Sequence, residues 1–412
     1  KGKTIPVRVG VTHGDFNGIS YEVMIKALMD SRLYDMFTPV IYGLPRVIGF
    51  HRKHMHLSEF NYTVISNTSK LTIKKLNICS ISDDEVKIEF GKSTQLAGDY
   101  AFRALETAVK DLRDKKIDIL VTAPINKGNI HSEKFAFQGH TEYLTQRFGA
   151  ENSLMLMVSD KLKIGTVTNH IPICEVAGSI TEDLILTKLK ILNDSLEKDF
   201  LIVRPKIAVL GLNPHAGDKG LIGTEDESVI HAALIKVKEQ GMLAFGPFPA
   251  DGFFGSGNHT KYDAVLSMYH DQGLIPFKLM SLGSGVNYTA GLPIVRTSPE
   301  HGTAYDIAGE NIASSVSMRQ AVYLGLNTSM LHKQYSGEEL TEIMKAQLLS
   351  PDGASINVED VLIDSRRFIR AAKTLFFALK GVRNDGHKYI RDLYRKGIRY
   401  FVISDSNFSR SE

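Results

Sequence analysis

Short apolar runs alternate with longer amphipathic stretches, and this alternation constrains the fold more than any other feature of the chain. The apolar run Val7–Thr12 is followed by a glycine-containing turn and by the amphipathic stretch Tyr21–Met29. The order recurs with a predicted helix, Ala101–Leu112, and a predicted strand, Ile117–Thr122. A strand-turn-helix rhythm of this kind is typical of α/β proteins. We therefore predict an α/β fold.

The rhythm continues through the second half of the chain. Two short apolar runs, Leu154–Val158 and Ile164–Thr168, are close enough in sequence to predict a pair of strands. A predicted helix, Leu184–Leu196, precedes the predicted strand Ile207–Leu212, and a further apolar strand is predicted over Ala264–Tyr269. At 412 residues the chain is too long for one ordinary core, so we expect two or three domain-sized units.

Charge and cysteine content exclude several classes of protein. Lys and Arg number 49 against 46 for Asp and Glu, without a long run of one sign, which argues against partners such as nucleic acids or membrane surfaces. No apolar stretch approaches the roughly 20 residues of a membrane span. The isolated Cys79 and Cys174 support neither a disulfide framework nor a thiolate zinc site. The sequence is therefore typical of a cytoplasmic protein.

Three histidines follow predicted strands in the same way. His170, His215 and His270 each come directly after an apolar run, and ligands of open α/β sheets gather at the carboxyl ends of strands. Three neutral imidazoles suit a divalent metal ion and leave a coordination position open for substrate. Alternatively, each histidine only forms a hydrogen bond within its loop. Three matching contexts favour a metal site over that alternative.

A second polar group lies at a predicted helix start. Gly139, His140 and Thr141 open a helix whose free N–H groups could hold an anion. The alternative is that Thr141 serves only as the N-cap of that helix.

Further charged and polar residues come soon after His270. Lys278, Asn287 and Arg296 are close enough in sequence to face the same cleft and to bind a phosphate or a carboxylate. Alternatively, Lys278 is solvated and Arg296 forms a structural ion pair.

Two carboxylates are candidates for proton transfer or for binding a substrate amine. A metal ion and a cationic group nearby could tune the pKa of Asp251 and of Asp271 for such a role.

Two nucleotide-binding motifs are absent from the sequence. Gly283-Ser284-Gly285 begins like the dinucleotide fingerprint GxGxxG, but Tyr288 occupies the position of its third glycine. Gly381–Lys388 has the two glycines of a phosphate-binding loop, but His387 stands where lysine is required. If NAD binds, it does not bind in a Rossmann crevice of the GxGxxG type, and ATP binding at 381–388 is not expected.

Short motifs spread along the chain resemble one known family. The motifs are Gly139–Glu142, Thr168–Pro172, Leu212–Gly217, Gly246–Asp251, Tyr269–Gly273, Gly285–Asn287, Gly291–Pro293, Arg296–Ser298 and His301–Ala304. In this order they resemble the 4-hydroxythreonine-4-phosphate dehydrogenases of vitamin B6 biosynthesis, over about residues 5–329. The first turn differs from the usual pattern of the family at Phe16, Ser20 and Tyr21.

The resemblance implies a fold and a site. The implied fold is a two-subdomain α/β/α architecture of the isocitrate-dehydrogenase-like type, with the active site in the cleft. The implied ligands of a divalent metal (zinc, or magnesium or cobalt) are His170, His215 and His270. The implied contacts with substrate are His140, Thr141, Lys278, Asn287 and Arg296. A homodimer is also implied, with active sites at the subunit interface and metal ligands from both chains.

The resemblance further implies the reaction. NAD oxidises 4-phosphohydroxy-L-threonine, and the β-keto acid then loses carbon dioxide to give 3-amino-2-oxopropyl phosphate, a step towards pyridoxal phosphate. A sister dehydrogenase acting on threonate or erythronate 4-phosphate is the alternative, because these substrates also present a hydroxyl, a carboxylate and a phosphate.

The end of the chain resembles a different family. Leu362–Arg366, Leu375–Gly381 and Asp385–His387 are similar to the N-terminal domain of Mur ligases, which helps to bind a UDP-sugar precursor. We therefore predict a dehydrogenase over residues 1–334 and a partial Mur-ligase-like segment over 335–412. We expect this segment to be a fusion or gene-boundary remnant without ligase activity. The alternative is a UDP-sugar-binding module.

Overall fold

The computed structural model describes residues 6–133, 135–137 and 139–331, and beyond them 335–336, 340–341, 344, 357–358, 360–362, 374–378, 380 and 385–404. The chain divides into two compact units. Ile5–Ser329 belong to the first unit, and the described residues from Met330 onward belong to the second.

The first unit is built on one sheet of 12 strands with helices between them. The strands are β1 Val7–Thr12, β2 Phe37–Gly43, β3 Thr63–Ile65, β4 Asn77–Ser80, β5 Ile119–Thr122, β6 Leu154–Val158, β7 Lys163–Thr166, β8 Lys206–Leu210, β9 Leu243–Phe248, β10 Ala264–Ser267, β11 Val286–Ala290 and β12 Val295–Pro299. The helices are α1 Ser20–Leu28, α2 Pro45–His54, α3 Gln95–Arg113, α4 Lys127–Ile130, α5 His140–Arg147, α6 Ile173–Ser179, α7 Glu182–Lys198, α8 Ala232–Glu239, α9 Ala250–Gly255, α10 His270–Ser281 and α11 Val316–Leu331.

The sheet has two parallel halves joined through antiparallel strands. Its strand order is β3-β4-β2-β1-β5-β12-β11-β6-β7-β10-β8-β9. Strands from β3 to β12 pair in parallel, and so do β7, β10, β8 and β9. The antiparallel pairs are β12–β11, β11–β6 and β6–β7. The predicted α/β class is confirmed, as is the predicted pairing of 154–158 with the run that follows it.

Helix α3 shows why one predicted boundary was wrong. The sequence predicts a helix from Ala101, but α3 begins at Gln95 because the Thr94 side chain accepts a hydrogen bond from the Ala97 amide (3.3 Å). Gly98 lets α4 approach, since a Cβ there would lie 1.9 Å from the Asn129 carbonyl oxygen. The buried face of α3, with Ala104 and Leu105, then packs under the sheet.

The turn after β1 is buried throughout. Asp15 is fully buried, and its carboxylate accepts hydrogen bonds from the Asn17 amide (2.8 Å), Asn129 Nδ2 (2.7 Å) and the Tyr305 hydroxyl (2.6 Å). Two residues that differ from the usual family pattern are also held by hydrogen bonds. Ser20 Oγ donates to the Pro124 carbonyl (3.2 Å), and the Tyr21 hydroxyl accepts from the Leu44 amide (2.9 Å). The altered turn is therefore a well-packed part of the core.

The second unit contains a parallel sheet of three strands. These are β15 Asp360–Leu362, β16 Thr374–Ala378 and β17 Tyr400–Ile403, and the other elements are β13 Tyr335–Ser336, β14 Asn357–Val358 and α12 Ile390–Arg395. His387 is buried, its Nδ1 donating to Asp385 Oδ1 (2.6 Å) while its Nε2 accepts from the Ser404 amide (3.2 Å). This histidine stabilises the local fold.

Part of the predicted Mur-ligase resemblance, 363–366, 379 and 381–384, lies outside the described residues, so that resemblance stays a prediction. The same holds for the predicted boundary between 334 and 335, because residue 334 also lies outside them. Among the described residues, no helix is both long and apolar enough to cross a bilayer.

Candidate active site

The three predicted metal ligands follow three adjacent parallel strands. β10 pairs with β7 on one side and with β8 on the other, so the carboxyl ends of all three strands lie at one edge of the sheet. His170 comes after β7, His270 begins the helix after β10, and His215 comes after β8. The spacing of the histidines along the chain gives no sign of this adjacency, which arises from the order of the strands.

Hydrogen bonds connect these strand ends in sequence. The Thr168 amide and hydroxyl both donate to the Met268 carbonyl (3.1 and 2.9 Å), which ties the chain before His170 to β10. The Gln272 side chain accepts from the Met268 amide (2.7 Å) and donates to the Gly211 carbonyl (2.6 Å), which ties β10 to the end of β8. Neither Thr168 nor Gln272 was predicted to take part, because both roles depend on strand order.

His170 and His270 are brought together. Their ring centroids lie 5.6 Å apart. His270 Nδ1 lies 2.7 Å from Asp271 Oδ1, and because an ionised carboxylate only accepts, Nδ1 is the donor of this pair, which leaves Nε2 as the nitrogen that the neutral ring would offer to a metal. Loss of solvation and the nearby Lys127 lower the pKa of His170, which favours the neutral imidazole that binds metals.

His215 is presented differently. It lies in a turn, Pro214–Gly220, in which the five residues from His215 to Lys219 have left-handed backbone angles, with φ between 41° and 77°. Its side chain is exposed. Across the described parts of the chain, no three His, Cys, Asp or Glu side chains form a group that could hold a metal within a single subunit. The fold therefore brings two of the three predicted ligands together within one chain.

Arg296 is a buried cation held by hydroxyl groups. It lies on β12 and is 2% exposed, and its guanidinium donates to Thr122 Oγ1 (2.6 and 3.2 Å) and Thr289 Oγ1 (3.0 Å). Burial lowers its pKa to about 10, so the group stays charged at neutral pH. No carboxylate within the described residues forms an ion pair with it, which argues against the alternative that Arg296 forms a structural ion pair. Because neutral hydroxyls do not cancel its charge, Arg296 remains available to an anion.

The start of α5 lies in the electrostatic range of this guanidinium. Gly139 is the N-cap of α5, and Thr141 lies inside its first turn, so the prediction that Thr141 is only an N-cap is wrong. Loss of solvation, and then the positive charges of Arg296 and Lys127, hold the pKa of His140 well below its usual value. His140 is thus a neutral ring beside a buried cation, with the free N–H groups of the helix start next to it.

Two charged residues near the α5 start were not singled out from the sequence. Burial lowers the pKa values of Lys127, His170, Lys188 and Arg296, and the negative charge of the Glu142 carboxylate partly opposes that lowering in each case. Lys188 on α7 donates to the Ser153 carbonyl (2.5 Å). The Glu142 position is visible in the motif 139–142, but its surroundings come from four separate elements.

Three predicted site residues remain, one with a buried polar atom and two that are exposed. Asn287 on β11 has a buried Oδ1 that lacks a hydrogen-bond partner among the described residues, as expected of an atom aimed at a ligand. Lys278 is exposed on α10, and Asp251 is exposed in the first turn of α9. No described contact joins Lys278 or Asp251 to the histidines within one chain.

One face of α10 is apolar and exposed. Ile275 and Leu279, which are 59% and 72% exposed, follow one another at helical spacing, and Leu282, which is 81% exposed, is the C-cap residue that ends the helix. Asp271 and Lys278 lie on the same face, by the same spacing. An apolar ridge beside two predicted site residues is typical of a surface that a second subunit covers.

The chain is similar to proteins of one family. A sequence model of that family, described as pyridoxal phosphate biosynthetic protein PdxA, matches residues 35–325, which lie within the first compact unit. The chain is 49% identical over 322 residues to a 4-hydroxythreonine-4-phosphate dehydrogenase of Bacteroides thetaiotaomicron, a match that covers 78% of this chain and 88% of that protein.

Two further comparisons bear on substrate and fold. A D-threonate 4-phosphate dehydrogenase of Cupriavidus necator is 36% identical over 329 residues, covering 78% of this chain and 96% of that protein. The crystal structure of a 4-hydroxythreonine-4-phosphate dehydrogenase from Klebsiella pneumoniae superposes with a TM-score of 0.68 at 32% identity, covering 80% of this chain and 99% of that one.

Proposed function

The chain belongs to the PdxA family of pyridoxal phosphate biosynthetic proteins, and on that basis we propose that it oxidises 4-phosphohydroxy-L-threonine with NAD. The oxidised acid then loses carbon dioxide and gives 3-amino-2-oxopropyl phosphate. One observation carries the proposal: three imidazoles follow adjacent strands at one sheet edge, within a unit that also holds a buried guanidinium whose hydrogen-bond partners, among the described residues, are hydroxyl groups. The unpaired Cys79 and Cys174 fit a cytoplasmic enzyme.

The chain's own residues account for recognition of the substrate. We assign an anionic group of the substrate to Arg296, the neutral ring of His140 and the free N–H groups at the start of α5, next to Thr141. Asn287 Oδ1, which has no partner among the described residues, would accept a hydrogen bond from a substrate donor such as a hydroxyl or an ammonium group. Lys278 would supply a second positive charge from the exposed face of α10.

The donor set fits a divalent metal ion and leaves room for NAD chemistry. Neutral His170, His215 and His270 would hold zinc, or cobalt or magnesium, and zinc and cobalt suit imidazole better than magnesium does. A bound metal supplies positive charge that stabilises oxygen anions, and NAD accepts the hydride. Asp271 orients the His270 ring through Nδ1, and we assign Asp251 to proton transfer.

We further propose that the enzyme is a homodimer whose sites contain residues of both subunits. Of the three predicted ligands, only His170 and His270 are in ring contact among the described residues of one chain, so a third imidazole would come from a second copy. The apolar ridge on α10, Ile275, Leu279 and Leu282, is the surface that a second copy would cover.

A dehydrogenase of threonate or erythronate 4-phosphate is the second candidate. The 36% identity to the D-threonate 4-phosphate dehydrogenase of Cupriavidus necator favours it. The two substrates differ at one carbon, which carries an ammonium group in one and a hydroxyl in the other. The anion-binding groups described above suit both substrates equally.

The test is NADH formation by the purified chain. Absorbance at the NADH band is followed with 4-phosphohydroxy-L-threonine and, in parallel, with D-threonate 4-phosphate, before and after removal of metal by a chelator. We expect turnover of the amino acid that stops with the chelator and returns with zinc or cobalt. Turnover of the sugar acid alone would transfer the assignment to the second candidate. Turnover of neither substrate in the metal-loaded protein would contradict the proposed function.

A further inference from the structure

The turn that carries His215 needs support from outside itself. Four of its residues with left-handed angles, His215, Ala216, Asp218 and Lys219, carry a Cβ, and L-amino acids disfavour this conformation because the Cβ approaches the following carbonyl oxygen. Only Gly217 adopts it without that cost. A run of five such residues persists only when surrounding groups determine its shape.

A buried carboxylate supplies that support. Asp226 is 2% exposed, and its Oδ1 accepts from the Leu212 amide (2.8 Å). Its Oδ2 accepts from the Asn213 amide (3.1 Å) and from Asn213 Nδ2 (2.9 Å). Asp226 has no cationic partner within hydrogen-bond or ion-pair distance among the described residues. These three donors belong to the two residues directly before Pro214 and His215.

The same carboxylate also packs against the far side of the turn. A Cβ at Gly217 would lie 3.3 Å from Asp226 Oδ2, and a Cβ at Gly211 would lie 2.6 Å from Asp226 Oδ1. Asn213 Nδ2 also donates to Glu225 Oε2 (2.9 Å), so two carboxylates hold the Asn213 side chain. Asp226 therefore fills the inside of the turn and contacts it on both sides of His215.

We propose that Asp226 is a positioning residue that holds His215 in the orientation needed to bind a metal ion. The inference rests on the proposed metal role of His215. Asp226 acts through the backbone amides of Leu212 and Asn213, through the Asn213 side chain and through its packing against Gly217. Asp271 orients His270 through a direct contact with its ring, whereas Asp226 would orient His215 through the residues on either side of it.

The test compares substitutions at two buried carboxylates, Asp226 and Asp111. Asp226→Asn replaces an acceptor by an NH2 group that faces N–H donors. Asp111→Asn is the control, because Asp111 is also buried and accepts from Tyr42 and Thr68 hydroxyls (both 2.9 Å), at a site remote in the sheet from β8. Unlike Asp226, Asp111 also pairs with Lys116 (3.3 Å). Co²⁺ binding to metal-free full-length protein is measured by isothermal titration and by the visible absorption of bound Co²⁺, and urea unfolding is measured alongside.

We expect Asp226→Asn to weaken Co²⁺ binding about 10- to 100-fold and to change the Co²⁺ spectrum, as loss of groups that orient metal ligands generally does. Asp111→Asn should lower stability and leave Co²⁺ affinity within about 2-fold, since it touches no ligand. Wild-type Co²⁺ affinity in a folded Asp226→Asn protein would overturn the inference.

Two further variants keep the outcome decisive. If Asp226→Asn does not fold, Asn213→Ala removes the side-chain hydrogen bonds to Asp226 and Glu225 and leaves the backbone bonds to Asp226, and about 3- to 5-fold weaker Co²⁺ binding is then expected. Unchanged affinity in that variant would count against the inference. His215→Ala tests the metal role of His215 apart from the role of Asp226. Full Co²⁺ affinity in His215→Ala would show that His215 is not a metal ligand. Loss of Co²⁺ binding in His215→Ala but not in Asp226→Asn would reject only the role of Asp226.

Discussion

The turn after β1 and the turn after β8 each carry a histidine beside a buried carboxylate, but they present the histidine in opposite ways. His13 directly follows β1 and is fully buried, with Nε2 3.2 Å from the Tyr100 carbonyl oxygen and its ring 5.4 Å from that of Tyr21. His215 follows β8 and is exposed in a left-handed turn. A histidine at a strand end is therefore a candidate ligand only where the turn keeps it outside the core.

The largest expected difference between the turns is in catalysis. His215→Ala should lower turnover by about 1000-fold or more, because it removes a proposed metal ligand. Its stability should change by no more than about 0.5 kcal/mol, since the side chain is exposed. Activity is measured as NADH formation and stability by urea unfolding.

His13→Ala is the matched variant in the other turn. It should cost about 2–4 kcal/mol of stability, because it leaves a cavity in the core, and it should keep Co²⁺ affinity. A wild-type turnover number in His215→Ala, or loss of Co²⁺ binding in His13→Ala, would remove the distinction between the turns.

The next effect is a dependence of stability on pH that comes from the buried turn. Burial lowers the pKa of His13 and of His51, whose ring stacks on Tyr21 at 5.2 Å, from 6.5 to about 4. Since the folded state disfavours the charged rings, their stabilisation is complete above pH 6.5 and is lost as the pH falls from 6.5 to about 4. The loss should approach about 3 kcal/mol for each histidine.

Urea unfolding of the metal-free protein between pH 7.5 and pH 4.5 checks this expectation. His51→Phe should reduce the slope of the free energy of unfolding against pH by an amount that corresponds to nearly one proton, because phenylalanine keeps the stacking on Tyr21 and does not titrate. Equal slopes in His51→Phe and the wild type would show that His51 is not a source of the pH dependence.

The smallest effect concerns the carboxylate of the first turn. Tyr305→Phe removes the hydroxyl that donates to Asp15 Oδ2 (2.6 Å) and should cost about 1–2 kcal/mol, because a buried acceptor loses a donor. Thr107→Val is a suitable control, since its hydroxyl forms an exposed bond within α3. An equal loss of stability in both variants would show that the hydrogen bond from Tyr305 to Asp15 stabilises the protein no more than an exposed hydrogen bond does.

Local patterns in the sequence were sufficient for much of the fold. The strands Val7–Thr12 and Leu154–Val158 have the predicted bounds, because alternate valines mark the first, an uninterrupted apolar run marks the second, and turn residues follow both. The start of α3 was missed since the segment before Ala101 mixes polar residues with Gly98, and only the Thr94 cap and the contact with α4 explain its helical form.

The candidate site was predictable only in part. His170, His215 and His270 were found because each follows an apolar run, and the same reasoning did not separate them from His13, which went unnoticed. Asp226 and Gln272 carry no local signal, because a buried carboxylate or amide acquires its partners from strand order. The hydroxyl partners of Arg296, Thr122 and Thr289, likewise come from two other strands.

The order of strands in the sheet has a consequence for synthesis on the ribosome. β12 lies between β5 and β11, although it is the last strand of the unit to be translated. Until residues 286–299 have emerged, β5 has β1 on one side but lacks its other neighbour, and the strands that precede the histidines have no connection to it through the sheet. A nascent chain thus leaves one edge of β5 unpaired while residues 123–299 are translated, an interval in which chaperones have most to protect.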